Sequence, residues 1–408
     1  MVDEAHLEII AIGAQGDGVA DGDVYVPGGL PGEIWRRTGQ DKFILEGPKS
    51  PDRTEPTCRH FDVCGGCVAQ HMSPNVYGNW KRQIVETVLA REGLEADIRP
   101  LWRHPEGRRR RAALQLVRSG DQVRVGFRER RGHTVFDMAM CPVLDPSVVE
   151  ALPGLRKIGE LILADGDDAR VTVTRAMDGL VVGIDTARKT RQLKPSVQSK
   201  IAQLGRSINA HRLMLNGDMV AAHGSAKLRF GAADVEIPDL CFLQAMPEAE
   251  LEMQRLVCEG LAGVKKVADL FCGVGTFTFP LAKAARVSGY DSDRAAIDAL
   301  VAAVRHAQGL KPIIALRRDL FRQPLGEREL RAYDGVVINP PRAGAKAQCE
   351  ALAISKLRRV VMVSCNPSTF VRDARILVDG GYKLTEVTPI DQFVWSHHLE
   401  VVAIFTRR

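Results

Sequence analysis

The chain has 408 residues, 45% of them hydrophobic and 26% charged, with a formal net charge of +6. That length asks for two or three domains at roughly 100 to 200 residues each. The composition is that of an ordinary globular protein, and no stretch approaches the ~20 consecutive apolar residues of a membrane-spanning helix, so no membrane role is expected.

The opening "MVDEAHLEII" carries acids where an export signal would carry bases, which predicts a cytoplasmic location. The nine cysteines are then expected to serve as reduced thiols, metal ligands or nucleophiles rather than as a disulfide framework. In residues 1–52, "LEIIAIGAQGDGVADGDVYVPGGLPGEIWRR" alternates short apolar runs with Gly-Asp and Pro-Gly turns and has no helical period. The turns at Gly16–Gly18 and Pro27–Gly32, with Arg36 and Arg37 beyond, resemble the TRAM-type OB barrel at the front of some RNA-modifying enzymes. OB barrels bind single-stranded nucleic acid on one sheet face, although this stretch has few aromatics on which bases could stack.

Residues 53–240 are expected to form a central α+β domain. After the linker "EGPKSPDRTEPT" comes "CRHFDVCGGC", in which Cys58, Cys64 and Cys67 form C-x5-C-x2-C, and Cys141 follows later as a fourth candidate ligand. Four thiolates, two flanking a Gly-Gly that permits a tight turn, suit an iron-sulfur cluster or a tetrahedral zinc, and spacing does not choose between them. "NVYGNWKRQIVETVLAREG" puts Trp80, Ile84, Val88 and Leu89 on one helical face with bases opposite, and Gly93 ends it. "AALQLVRSGDQVRVGF" reads as a hairpin around Ser-Gly-Asp, and "RVTVTRAMDGLVVGID" as further strands. Two arginine blocks, Arg108, Arg109, Arg110 and Arg111, then Arg128, Arg130 and Arg131, flank that hairpin and predict a basic wall for RNA.

From residue 241 to 408 helices alternate with apolar strands, the pattern of a parallel sheet with crossover helices. Each apolar run closes on a polar group: "KKVADLFCGVGTF" on Asp269 and a glycine loop, "RVSGYD" on Asp291, "IIALRRD" on Asp319, "GVVINPPR" on Asn339 and "RVVMVSC" on Cys365. Strand carboxyl ends share one edge of such a sheet, where ligands bind, so these groups are expected to converge. Gly273 and Gly275 would let backbone approach a ligand, with Asp291 placed for ribose hydroxyls. "DLFCGVGTF" lacks the third glycine of a dinucleotide fingerprint and resembles the first motif of S-adenosylmethionine-dependent methyltransferases.

With that cofactor a thiolate has a definite use. Carbon 5 of a pyrimidine is a weak nucleophile until a thiolate adds to carbon 6, and the methylated adduct then needs a base to remove the surplus proton. Cys365 stands at a strand-to-helix turn whose helix, "PSTFVRDARIL", is expected to lower the thiol pKa. Glu400 precedes the last strand, "EVVAIF", which in class I methyltransferase folds runs antiparallel and so begins on the catalytic rim; His397 and His398 are rival bases.

"VSCNPSTFVRD", with "NPPRAG" before it and "HHLE" after it, resembles the RNA (uracil-5-)-methyltransferase family, most of all its iron-sulfur 23S ribosomal RNA branch. The resemblance implies a class I, Rossmann-like domain, Cys365 as nucleophile, Glu400 as proton acceptor, and cofactor contacts from Gln244, Phe271, Thr276, Asp291, Asp319 and Asn339. It favours a [4Fe-4S] cluster on the four cysteines, RNA as partner, 23S rRNA as target and a monomeric protein. Met246 stands where the family commonly has Asn, Thr276 replaces a frequent Asn, and some members carry Asp at the Asn339 position. Arg342 is a candidate for orienting the target base or a phosphate. The alternatives are a tRNA uridine-5 methyltransferase; an amino-group methyltransferase, since "NPPR" is close to Asn-Pro-Pro-aromatic; and a non-catalytic RNA-binding factor.

Overall fold

The computed structural model describes residues 6–39, 42–104, 108–130, 132–190 and 193–407. Its strands fall into three main sheets. In the first, Val24–Val26, Gly18–Ala20, His6–Ile12, Ile34–Arg37 and Phe43–Leu45 lie side by side in that order, all antiparallel. Small residues make its sharp bend: a Cβ on Gly18 would stand 2.8 Å from the Gly29 carbonyl oxygen, closer than real Cβ atoms come. The expected turns are present, with Gly16, Gly28 and Gly32 all in the left-handed region.

The second sheet orders Asp218–Ala222, Ala210–Leu215, Leu180–Thr186, Asp168–Arg175, Arg111–Ser119 and Gln122–Gly126. The last two form the expected hairpin, closed by Ser119 opposite Gln122, and Asp168–Arg175 with Leu180–Thr186 forms the next. Leu114, Leu116, Val171 and Val173 bury one face under the helix Leu152–Ile162, whose Leu155, Ile158 and Ile162 recur at helical spacing.

The third sheet carries the site. Its order is Ile313–Arg317, Arg286–Asp291, Lys266–Leu270, Gly335–Ile338, Arg359–Ser364, Glu400–Thr406 and Lys383–Asp391. The first five pair in parallel, while Glu400–Thr406 runs antiparallel to both neighbours, as expected. The chain progresses outward from Lys266–Leu270 and then returns to its other side with Gly335–Ile338, so the switch point at which α/β sheets bind ligands lies between those two strands.

Residues 74–103 depart from the sequence reading. The helix Pro74–Arg91 packs Val85 and Leu89 into the core of the third sheet, beside Leu377, Leu384 and Val387. Asp97–Ile98 and Trp102–Arg103 add to Lys383–Asp391 at the edge of that sheet. Strands of two residues show no period in a sequence. The helix ends before Gly93 as expected, but its buried face is Tyr77, Trp80, Lys81, Val85 and Leu89, so Lys81 turns inward rather than lying among the solvated bases.

Candidate active site

Cys365 is the first residue after the strand Arg359–Ser364. Asn366 follows, and its side chain caps the helix Pro367–Asp379 by accepting from the Ser368 N–H at 3.1 Å. The Asn366 amide and the Thr369 hydroxyl also donate to the Arg342 carbonyl, at 3.0 and 3.1 Å, and so pin the Asn-Pro-Pro-Arg loop beside Cys365.

Glu400 begins the antiparallel strand and is 2% exposed. It lines the same cavity as Cys365, a space of about 380 Å³ and so within the usual size range of small-molecule sites. Burial pushes the Glu400 carboxyl up to about 8, against the hydrogen bond from Gln392. Burial, and then the charge of Glu400, push the Cys365 thiol up to about 11, with Arg342 opposing. This corrects the expectation of a lowered thiol: the helix end does not offset desolvation next to a carboxylate. His398 lines a different cavity, and burial holds it down to about 4; His397 is lowered for the same reason.

The rest of this cavity comes from the switch point. Phe271, Gly273 and Val274 follow the first strand; Asp291, Ser292 and Asp293 follow the second; Asn339, Pro340, Pro341 and Arg342 follow the fourth. Phe271 and Gly273 are both in the left-handed region, which turns the chain out of the strand. A Cβ on Gly273 would meet nothing within 4 Å, whereas one on Gly275 would stand 2.6 Å from the Phe279 ring. Gly273 thus leaves ligand space, and Gly275 serves packing. Asp291 accepts from the Gly273 N–H at 2.8 Å and the Asp293 N–H at 2.9 Å, bracing the loop against the next strand.

Several expected contacts sit behind the wall. Asp269 is fully buried and accepts from the Thr278 hydroxyl at 2.6 Å; burial pushes its carboxyl up to about 7. Asp319 accepts from the Phe321 N–H at 3.0 Å and so positions Phe321, which lines the cavity against Phe271 at 5.4 Å between ring centroids. Thr276 is buried outside the lining. Gln244 is 1% exposed and joined to the site through Gln392, which donates to its Oε1 at 2.8 Å. Sequence reasoning missed Gln392, Phe321 and the 67%-exposed Phe242 on the cavity rim. For Phe242 and Phe321 a signal existed: each lies within two residues of a predicted contact, Gln244 or Asp319.

Cys58, Cys64, Cys67 and Cys141 line one cavity of about 180 Å³, otherwise walled by Phe61, Phe127, Phe136, Met138 and Phe393. All four are free thiols. Burial, and the neighbouring cysteines after it, push Cys67 up to about 12, so a cation is needed before four thiolates can coexist there. Among the described residues no three His, Cys, Asp or Glu side chains converge closely enough for one metal ion. Four thiols around one largely apolar cavity are a donor set that suits a thiolate-bound metal group.

The arginines divide. Arg108 and Arg128 are exposed. Arg110 is 3% exposed, donates to Glu250 at 2.5 Å and to the Gln244 carbonyl at 2.9 Å, and is thereby removed from the expected basic wall. Arg109 lies over the Phe393 ring at 5.3 Å, and Arg111 reaches the Leu240 carbonyl. Arg130 donates to the Cys67 carbonyl at 2.7 Å and lies over Phe61, bracing the cysteine loop. Arg131 lies outside the described residues.

Comparison with known proteins gives three findings. A family model described as tRNA (Uracil-5-)-methyltransferase matches residues 184–408. An RNA methyltransferase of Caulobacter vibrioides is 44% identical over 98% of the chain and 99% of its own length, and a 23S rRNA (uracil(1939)-C(5))-methyltransferase of Bordetella bronchiseptica is 32% identical over 99% of the chain and 93% of its own. A tRNA (uracil-54, C5)-methyltransferase of Pyrococcus abyssi, solved with S-adenosyl-L-homocysteine, has the same fold, with a TM-score of 0.76 at 23% identity over 98% of this chain and 99% of that one.

Proposed function

Since the chain belongs to the RNA (uracil-5-)-methyltransferase family, whose members are enzymes, we propose that it methylates carbon 5 of a uridine in 23S rRNA, using S-adenosylmethionine. The observation that carries this reading is the shared cavity of Cys365 and Glu400, with Gly273, Asp291 and Asn339 on its rim. The ribosomal target is favoured by 32% identity to the Bordetella rRNA enzyme along nearly the whole chain, against 23% to the Pyrococcus tRNA enzyme.

S-adenosylmethionine, when bound, supplies an electrophilic methyl group. Cys365, as thiolate, adds to carbon 6 of the uracil; the electron pair displaced onto carbon 5 forms the new C–CH3 bond as the cofactor's S–CH3 bond breaks. Glu400 takes the proton from carbon 5, the C5=C6 double bond re-forms and the Cys365 sulfur leaves carbon 6. Gly273 and Asp291 would hold the nucleoside of the cofactor, Asn339 its other polar groups, and Phe271 with Phe321 an apolar face.

The same reading assigns residues 1–52 to an OB-type, TRAM-like barrel, the rest of 53–240 to a central RNA-binding domain, and 241–408, with residues 74–103 packed onto their sheet, to the catalytic domain. Cys58, Cys64, Cys67 and Cys141 would hold a [4Fe-4S] cluster that ties the cysteine loop to the second sheet. Arg108 and Arg128, the exposed members of their blocks among the described residues, would meet RNA phosphate.

RNA carrying 5-fluorouridine tests the chemistry, because fluorine cannot be removed as a proton. A denaturation-stable protein–RNA species mapping to Cys365, absent from Cys365→Ala, is expected; its absence from the native chain with 23S rRNA and cofactor would overturn the proposal.

A further inference from the structure

Gln392 directly follows the strand Lys383–Asp391 and is 1% exposed. Its Oε1 accepts from the Ala245 main-chain N–H at 2.8 Å, while its Nε2 donates to Gln244 Oε1 at 2.8 Å and to Glu400 Oε1 at 2.9 Å. A main-chain N–H can only donate, so the carbonyl of this amide must face Ala245 and the NH2 the other two. Both hydrogens of that NH2 are used. Each recipient keeps one buried polar atom with no partner among the described residues, Gln244 Nε2 and Glu400 Oε2. Among the described residues the Glu400 carboxyl receives this bond from Gln392, a neutral donor.

We propose that Gln392 is the positioning residue of the proton-removal step: it holds Glu400 by Oε1, which makes Oε2 the oxygen that takes the proton from carbon 5, and it ties that carboxyl to Gln244 on the cofactor side. The inference rests on the reading of Cys365 and Glu400 given above. A neutral donor suits the task. It gives the ionised carboxylate one partner in a buried site, yet leaves it more basic than a lysine or arginine partner would. Neither thiolate addition nor methyl transfer uses this bond, so its loss should slow only the last step, and the methylated Cys365–RNA adduct should accumulate.

Gln392→Met keeps the length and removes the amide; Gln392→Glu keeps an acceptor for Ala245 and offers at most one donor. Full-length chains are incubated with ordinary-uridine RNA and methyl-labelled S-adenosylmethionine. Turnover is expected to fall roughly tenfold to a hundredfold, less than the ~10²–10⁴-fold that a general base itself contributes, because Glu400 remains. The labelled, denaturation-stable adduct should rise well above the native level, cofactor affinity should hold, and deuterium at carbon 5 should slow the variants more than the native enzyme. A parallel fall of adduct and turnover, or native-like release, overturns the proposal. If Gln392→Met does not fold, Gln392→Glu is read for the same adduct; failure of both to fold makes Gln392 a structural residue and also overturns it. Failure of the native chain to label RNA at all would instead refute the underlying reading.

Discussion

Two acids made weak by burial line one cavity, and their protonation sets the pH response. At neutral pH the Glu400 carboxyl, pushed up to about 8, is mostly protonated, and so is the Cys365 thiol at about 11. In the proposed mechanism both act in their ionised forms, so turnover should rise from pH 7 to 9, and a pH–rate profile checks it. Stability should move the other way. The folded carboxyl holds its proton to about 8 while the unfolded one releases it near 4.5, so Glu400 favours the fold fully below about 4.5 and progressively less as pH rises to about 8. Glu400→Gln carries no such proton: at pH 8 it should be more stable than the native chain by up to a few kcal/mol, at about 1.4 kcal/mol for each pH unit that separates the folded and unfolded values. Thermal melts of the two chains at several pH values should show that gap closing toward pH 4.5. Cys365 and Glu400 were legible in the sequence because each abuts a strand whose direction the fold dictates. Gln392 was not, because the bonds that fix its amide run to Ala245 and Gln244, 147 and 148 positions away, which no local pattern marks.

Between elements, the helix Pro74–Arg91 holds the loop that leads into Glu400. Lys81 Nζ lies 3.1 Å from Asp391 Oδ1 and also donates to the His398 carbonyl. The Tyr77 hydroxyl donates to Asp391 Oδ2 at 2.5 Å and accepts from the Trp395 N–H at 2.8 Å. Trp395 sits in the left-handed region at φ 57°, a strained place for an indole-bearing residue, and the Val68 and Ala69 N–H groups hold its carbonyl as well. Burial lowers Lys81 and raises Tyr77, so the ion pair with Asp391 is what keeps the lysine charged. Lys81→Met should cost ~3–5 kcal/mol by stranding Asp391, and Lys81→Met with Asp391→Asn should recover much of it. Denaturant melts of the single and double variants measure the difference. The helix was predicted from its apolar period, but that period could not mark Lys81 as buried, since its partner Asp391 lies 310 positions on.

At the scale of the molecule, the exposed arginines and the cysteine cavity should act through different observables. Arg108→Gln and Arg128→Gln should each lower the salt slope of RNA binding by about one without changing the melt, whereas Arg110→Gln should unfold the chain more readily, because it breaks a buried pair with Glu250. Titrations at several salt concentrations separate the two. The arginine blocks were legible as charge, but their exposure was not, because Arg110 and Arg111 are strand-edge neighbours that face different partners.

The cysteine cavity and the catalytic cavity meet in one loop. Phe393, Val394, Ser396 and His398 wall the first, while Gln392 and Glu400, at the ends of the same segment, shape the second. The glycine loop and Asp291 belong to other strands and do not line the cysteine cavity. Removing the metal group proposed for the four cysteines, by chelation or by Cys141→Ser, should therefore loosen the Glu400 side while leaving the cofactor side in place. Cofactor affinity should stay within a few-fold, thermal stability should fall, and turnover should drop with accumulation of the methylated Cys365 adduct. Calorimetry with S-adenosylmethionine, a thermal melt and the labelled-adduct gel on the same preparation test all three. A loss of cofactor binding equal to the loss of activity would mean that the cysteine cavity supports the whole third sheet rather than the loop.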